Sequence, residues 1–193
     1  VSDSLYDPGP QSGDRRPAPG RLGLVQAFVN SHFSLGADRG ADRFAGADGL
    51  AAWLGERGLA PGTVGAGELE RALAVREGLR AQLAAHNGAA AAPEALARLR
   101  AAAEGVPAAW RVDAAGAIVP APAGAGVEAA LGLVLAAVHE ARAEGTWPRL
   151  KACPGRHCGW AFYDHSRNGG STWCSMQVCG GREKARAYRR RSR

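Results

Sequence analysis

The sequence has no lysine before residue 151, no cysteine before residue 153 and one methionine, and only 6% of its residues are aromatic. Arg, Glu, Gly and Pro interrupt every alanine-rich tract, so no run of 18 apolar residues occurs and no membrane-spanning helix is expected. The first 20 residues, VSDSLYDPGPQSGDRRPAPG, hold no apolar segment of the kind a secretory leader needs, and a cytoplasmic location is expected. The hydrophobic fraction is 46%, but 42 of the 193 residues are alanine. The remaining Leu, Val, Phe and Trp suffice for one modest core, hence for one medium domain with a small appendage. No internal repeat, Gly-rich phosphate loop, nucleophile elbow or zinc-protease helix is present, so catalysis is not expected.

Charge is present but unevenly placed. Residues 1–148 sum to −3, whereas residues 149–193 sum to +9 and hold all four cysteines. A small basic, cysteine-bearing part behind a mildly acidic larger one points to nucleic acid or another acidic partner. The plainer alternative is a solvated helix end.

Residues 1–20 are rich in Pro, Gly and polar side chains and read as a flexible arm. Leu22, Val25, Phe28, Val29 and Phe33 then recur at helical spacing, predicting an amphipathic helix to near Gly36, followed by a Gly/Asp-rich loop over 37–47. A short helix capped by Asp48 carries Leu50, Trp53 and Leu54 and stops at Gly58. Further helices are predicted over about 67–86 and from Pro93 to about Ala103. Residues 108–122 read as two short strands around Asp113–Gly116, and Val127 to Glu144 as a strongly apolar helix. Trp147-Pro148 marks a boundary. The expected fold class is mainly α with a small β-hairpin (α+β), followed, on the spacing of Cys153, Cys158, Cys174 and Cys179, by a small treble-clef-like zinc finger of β-hairpin plus helix. The expected domains are a 1–20 arm, a 21–147 helical domain and a 148–193 finger.

The finger follows from Cys153-x4-Cys158-x15-Cys174-x4-Cys179. Four thiolates complete tetrahedral zinc and leave no position for water or substrate, so one structural Zn2+ is expected. The segment has few large apolar residues, and metal binding should supply much of its folding free energy. Two disulfides are the competing reading and would need an oxidising compartment. His157 and His165 read as exposed turn residues rather than ligands, and the spacing excludes a redox C-x-x-C motif. Between the cysteine pairs, WAFYD (160–164) reads as a strand, SRNGGS as a turn and TWC as the returning strand. Trp160, Phe162 and Trp173 are expected to pack the finger's small core.

The run CGWAFYDHSRN…WCSMQVCGGREKARAYRRR resembles the CGNR zinc finger over about 40 residues. All four cysteines, Trp160, Phe162, Asp164, Ser166, Arg167, Asn168, Trp173, Ser175, Met176, Gly180, Arg182, Lys184 and Arg186 are in register. LGLVQAFVNS (22–31), RALAVREGLR (71–80) and the late hairpin resemble, more weakly, the ABATE domain that precedes this finger in bacterial proteins described as stress-induced transcription regulators. The resemblance implies zinc and DNA binding. Two positions depart from the pattern. Gly181 stands for the usual Asn, at a corner expected to tolerate positive φ, and Ser171-Thr172 replace a basic pair, removing two phosphate contacts.

The nucleic-acid-binding candidates are Arg167, Arg182, Lys184, Arg186, Arg189 and Arg190. On a helical wheel Arg182, Arg186, Arg189, Arg190 and Arg193 share one side, with Lys184 and Arg191 opposite. Such a stripe suits phosphates, and arginine in a groove reads guanine. Tyr188 and Trp173 could stack on bases or pack. In the helical domain, Asn30, Arg76 and Arg80 form a candidate ligand pocket, the alternative being Arg76 and Arg80 paired with Glu77 or a nearby acid. The expected function is a DNA-binding regulator, with RNA as a variant, whose helical domain senses a small-molecule effector or forms a homodimer. The alternative is an interaction module docking an acidic partner.

Overall fold

The computed structural model describes residues 3–13, 15–33, 42–59 and 62–192. Helix dominates: α1 (Leu22–Val29), α2 (Ala47–Glu56), α3 (Ala66–Ala85) and α4 (Pro93–Ala103) precede a hairpin of β1 (Ala109–Val112) and β2 (Ile118–Ala121). Then come α5 (Gly126–Ala143), a second hairpin of β3 (Leu150–Ala152) and β4 (Ala161–Tyr163), and α6 (Gly181–Arg191). Both hairpins are antiparallel.

Every residue of α1 is buried, Gln26 included, so the helix runs through the core rather than along its surface as an amphipathic helix would. It stops at Val29 rather than near Gly36, because the side chains that follow turn to other work. The Ser31 hydroxyl donates to the Phe28 carbonyl at 2.7 Å, and the Asn30 amide reaches β4. The expected 37–47 loop lies outside the described residues up to 41. Phe28, Phe44 and Trp53 meet with ring centroids 5.6 Å apart and fill the space between α1 and α2. Gly46 rather than Asp48 caps α2, and Asp48 sits in its first turn. The α4 and α5 boundaries and the Asp113–Gly116 turn lie close to where periodicity and turn residues put them.

The core does not stop at the predicted boundary. Trp147 is buried with its ring edge-on to His86, and residues Trp147–Arg149 form one 3-10 turn leading into β3. Leu150, Ala152, Ala161 and Tyr163 belong to the main core. Residues 3–13 and 15–20, expected to be a flexible arm, instead lie across this junction. Leu5 and Ala18 are buried, Ala18 N–H donates to Gln26 Oε1 at 2.8 Å, and Gln26 Nε2 donates to Gln11 Oε1 at 2.7 Å. Composition missed the segment because a few well-placed contacts anchor it, not a high apolar content.

α3 and α4 pack closely at Gly78, where an added Cβ would lie 2.4 Å from Leu99 Cβ. Alanine would improve helix propensity by about 1 kcal/mol but must force these helices apart. We expect Gly78→Ala to be a net destabilisation of about 1–3 kcal/mol in urea unfolding; a stabilised variant would refute the close packing.

Candidate metal centre and nucleic-acid interface

The finger's hairpin is not the one expected. β4 pairs with β3, in the register Leu150–Tyr163, Lys151–Phe162 and Ala152–Ala161, and residues 172–174 form no strand. The first cysteine pair therefore occupies the hairpin's own turn. Within it, Cys153 N–H donates to the Trp160 carbonyl at 2.9 Å and Cys158 N–H to the Gly155 carbonyl at 2.8 Å. His157 (φ 59°) and Gly159 (φ 65°) are left-handed on either side of Cys158 and turn the chain so that both sulfurs face inward. His157 is exposed and shapes the backbone. At Gly155 a Cβ would lie 3.1 Å from Cys179 Sγ and 3.4 Å from Cys153 Sγ, so a larger residue there would crowd the converging sulfurs.

Of the second pair, Cys174 just precedes and Cys179 lies on a π-helical turn, Met176–Gly180, capped by Ser175 Oγ, which accepts from Val178 N–H at 3.3 Å. It runs directly into α6. Gly181 is right-handed helical (φ −63°), not at a positive-φ corner, so the position that departs from the family pattern imposes no special backbone.

All four sulfurs are buried and lie within 4.8 Å of one another. Cys158 Sγ is 3.7 Å from Cys174 Sγ, which is 3.6 Å from Cys179 Sγ. A tetrahedron with Zn–S bonds of about 2.3 Å has edges of about 3.8 Å, whereas a disulfide holds its sulfurs about 2.05 Å apart. Hydrogen bonds from Cys153 and Cys158 pull Cys174 down to about 2, while burial and neighbouring negative charge push Cys179 up to about 12. Cys153 and Cys158 are also raised, through hydrogen bonds among the sulfurs and burial. Four thiolates cannot coexist here without a compensating cation, and a soft divalent ion removes the conflict. The four cysteines hold one structural zinc. Ser12 Oγ donates to Cys174 Sγ at 3.5 Å, and Arg15 donates to the carbonyls of Cys174 and Trp173 at 2.8 and 2.7 Å while lying over the Phe162 ring. The N-terminal segment thus braces the metal centre, a contact with no periodic or motif signal in the sequence.

Trp160 and Phe162 pack around the sulfurs with Trp173 half-buried beside them, as expected. The loop after β4 is built on a buried ion pair. Lys151 Nζ donates to Asp164 Oδ2 at 3.0 Å and to the carbonyls of Gly169 and Ser171. The Asp164 carboxylate accepts from the backbone N–H groups of Ser166 and Ser171. Burial alone would raise the Asp164 pKa, but hydrogen bonds from Ser166, Lys151 and Ser171 hold it well below the usual carboxylate range. Arg149 spans the loop, donating to the carbonyls of Asp164 and Ser166 at 3.0 and 2.7 Å. Arg167 and Asn168 stand exposed at the tip, with no hydrogen bond from either side chain to protein among the described residues. Lys151, the first lysine in an arginine-rich chain, was the available signal for this pair.

α6 buries none of its side chains. Arg182, Lys184, Arg189 and Arg190 are exposed, as are Tyr188 and Arg191. Arg186 is paired with Glu183 one turn away. Arg182 and Arg186 also flank a small hollow beside Cys158 and Cys179, together with Arg156. Arg193 lies outside the described residues.

Asn30, Arg76 and Arg80 are brought together, but each is committed to protein groups. Asn30 makes a two-way clamp on Ala161, donating to its carbonyl at 2.9 Å and accepting from its N–H at 2.7 Å. Arg76 is buried and bonds both carboxylate oxygens of Asp42 at 2.6 and 2.8 Å, and Glu77 at 2.8 Å. Arg80 pairs with Glu77 at 2.9 Å and donates to the carbonyls of Gly159, Val29 and His32. The alternative of Arg–Glu77 pairing describes these residues, with the difference that they lie at the junction with the finger rather than on an open surface.

Cys174→Ser is expected to reduce bound zinc from one per chain to none in native mass spectrometry; full retention would mean a different ligand set. Asp164→Asn, by stranding Lys151 against an amide, is expected to cost about 3–5 kcal/mol in chemical unfolding at pH 7.

No helix among the described residues is long and apolar enough to cross a membrane. Comparison with curated proteins finds no match. Residues 149–192 match the family model of the CGNR zinc finger. Residues 22–144, well over half of the chain, match the ABATE family, "Putative stress-induced transcription regulator". With its sulfurs gathered as a zinc centre behind a helical domain of that type, the chain belongs to the ABATE family and carries a CGNR zinc finger after that domain.

Proposed function

We propose that the protein is a DNA-binding transcription regulator whose finger contacts nucleic acid through α6 and the Arg167 loop. The observation that carries this reading is a helix with no buried side chain, bearing Arg182, Lys184, Arg189 and Arg190 toward solvent and following directly from the metal centre. Arginines without internal partners offer bidentate donors to phosphate or guanine at little cost in broken contacts. A loop fixed from beneath by Lys151 and Arg149 presents Arg167 and Asn168 with little ordering entropy left to lose on binding. Ser171-Thr172 add no charge here, and Arg186 is shared with Glu183, so the interface is weaker than a fully basic finger. RNA binding uses the same electrostatics and is a variant of this reading.

The helical domain is assigned a sensing or dimerising role. Trp110, Val112 and Ile118 are exposed on one face of the first hairpin, where Val112 pairs with Ile118, and this apolar face supports self-association. Docking of an acidic protein by the finger is the competing reading.

Gel-shift titration with random and genomic DNA fragments separates them. With six charges on phosphates, log K should fall against log salt with a slope of roughly −5. Replacing Arg189 and Arg190 by alanine should reduce that slope by about 2 without altering zinc content. Absence of binding to any nucleic acid at low salt would leave the protein-docking reading in its place.

A further inference from the structure

A small cleft of about 230 Å³ lies between the N-terminal segment, the end of α2 and the first hairpin, lined by Leu5, Tyr6, Arg57, Leu59, Arg111 and Pro120 among others. Its polar complement is one-sided. Arg57 is 8% exposed and its guanidinium stacks on Trp53, 3.9 Å from the ring centroid. Buried arginine normally takes short, charge-assisted hydrogen bonds. Here Nη1 reaches the Trp53 carbonyl at 3.4 Å and Nη2 the Asp7 carbonyl at 3.3 Å, and Nε is buried with no partner among the described residues. The nearest carboxylate, Glu56, lies 3.6 Å away, is half-exposed and is shared with Arg43 at 2.5 Å.

Arg111 is exposed, makes no hydrogen bond or ion pair from its side chain among the described residues, and its charge reaches Tyr6. The Tyr6 hydroxyl accepts from Arg21 at 2.7 Å and retains its own proton to donate. No lining residue carries a carboxylate. The remaining walls, Leu5, Leu59, Pro120 and Pro122, are apolar.

We propose that this cleft binds a small organic carboxylate, its anionic group held by Arg57 and Arg111 and its apolar body against Leu5, Leu59 and the hairpin prolines. Two guanidiniums match a carboxylate's acceptors, and apolar walls select an organic acid over inorganic phosphate. A cleft of about 230 Å³ has room for a single ring or a short branched chain. The proposal gives a place to the sensing role assigned above and rests on that role alone.

The experiment is isothermal titration of the zinc-loaded full chain, without nucleic acid, with benzoate, phenylacetate and isovalerate, using benzamide and inorganic phosphate as controls. The expected result is saturable binding of at least one of the acids, with neither control competing. Arg111→Gln, on an exposed side chain, should fold normally and weaken binding at least tenfold; Arg57→Gln should abolish it. No binding by any of the three acids, equal binding of benzamide, phosphate binding in their place, or unchanged affinity in Arg111→Gln would each overturn the proposal. DNA binding is read separately by gel shift, so a failure of the regulator reading and a failure of this one are distinguishable.

Discussion

Four buried sulfurs within 4.8 Å of one another set the terms for residues 149–192. They draw together two chain segments, the turn of the β3–β4 hairpin and the π-helical turn before α6, that no extensive apolar contact would otherwise hold. A thiol cluster this tight resists holding four thiolates at once, because burial and mutual repulsion oppose each added charge, so the metal resolves an electrostatic conflict as well as closing a loop. The direction in which α6 leaves the finger follows from the geometry at Cys174 and Cys179. Gly155 lies so close beneath the sulfurs that an added Cβ would stand 3.1 Å from Cys179 Sγ.

The metal does not act alone in placing the finger. β3 and β4 make a two-stranded sheet, which by itself would leave backbone donors and acceptors unpaired along both edges. Asn30 satisfies both polar groups of Ala161, Gln26 adds a bond to the Ala161 carbonyl, and Asn87 donates to the carbonyls of Ala152 and Thr172. His86 Nδ1 lies 2.8 Å from the Leu150 carbonyl. Side chains from α1 and from the residues that close α1 and α3 thus serve as the missing neighbouring strands, and Arg80 ties the Gly159 carbonyl to the end of α1. Two segments matched by separate family models share one core and one hydrogen-bond network.

What was legible in the sequence was what local chemistry decides. Cysteine spacing identified the metal centre because a tetrahedral ion accepts few arrangements, and Pro93 and Gly58 punctuated helices because their backbone preferences are strong. The strand partner of β4 was misread because Leu150–Ala152 is three residues long and too short to show alternation, whereas TWC beside a turn looked like a strand. The N-terminal segment was misread for a different reason. Composition averages over residues, while Leu5, Ser12, Arg15 and Ala18 act singly, through contacts to chain more than 100 residues away in the case of Ser12 and Arg15. Arg76 and Arg80 looked available for a ligand because the carbonyls and the Asp42 carboxylate that occupy them come from elements distant in sequence. Arg57, the cation left under-partnered, had no signal beyond following Trp53 by one helical turn.

The charge imbalance between the two parts now has a structural division of labour. Within the helical part, arginines are largely neutralised: Arg76 by Asp42 and Glu77, Arg71 by Glu128, Arg43 by Glu56. In the finger the acids are two, and both are already taken, Asp164 by Lys151 in the interior and Glu183 by Arg186. Lys151 and Arg149 spend their donors inward on carbonyls, so the excess positive charge is carried outward by Arg167 and α6. A surface so arranged has its repulsion held apart by solvent and counterions rather than by internal partners, and it gains most from an anion that replaces those counterions. The same reasoning applies at a smaller scale to Arg57, where desolvation lowers the pKa of a guanidinium that internal acceptors meet only at long range. In both places positive charge is only partly met from within, Arg57 having Glu56 no nearer than 3.6 Å. The extended surface has the reach for a polyanion, and the small cleft has room for a single small anion.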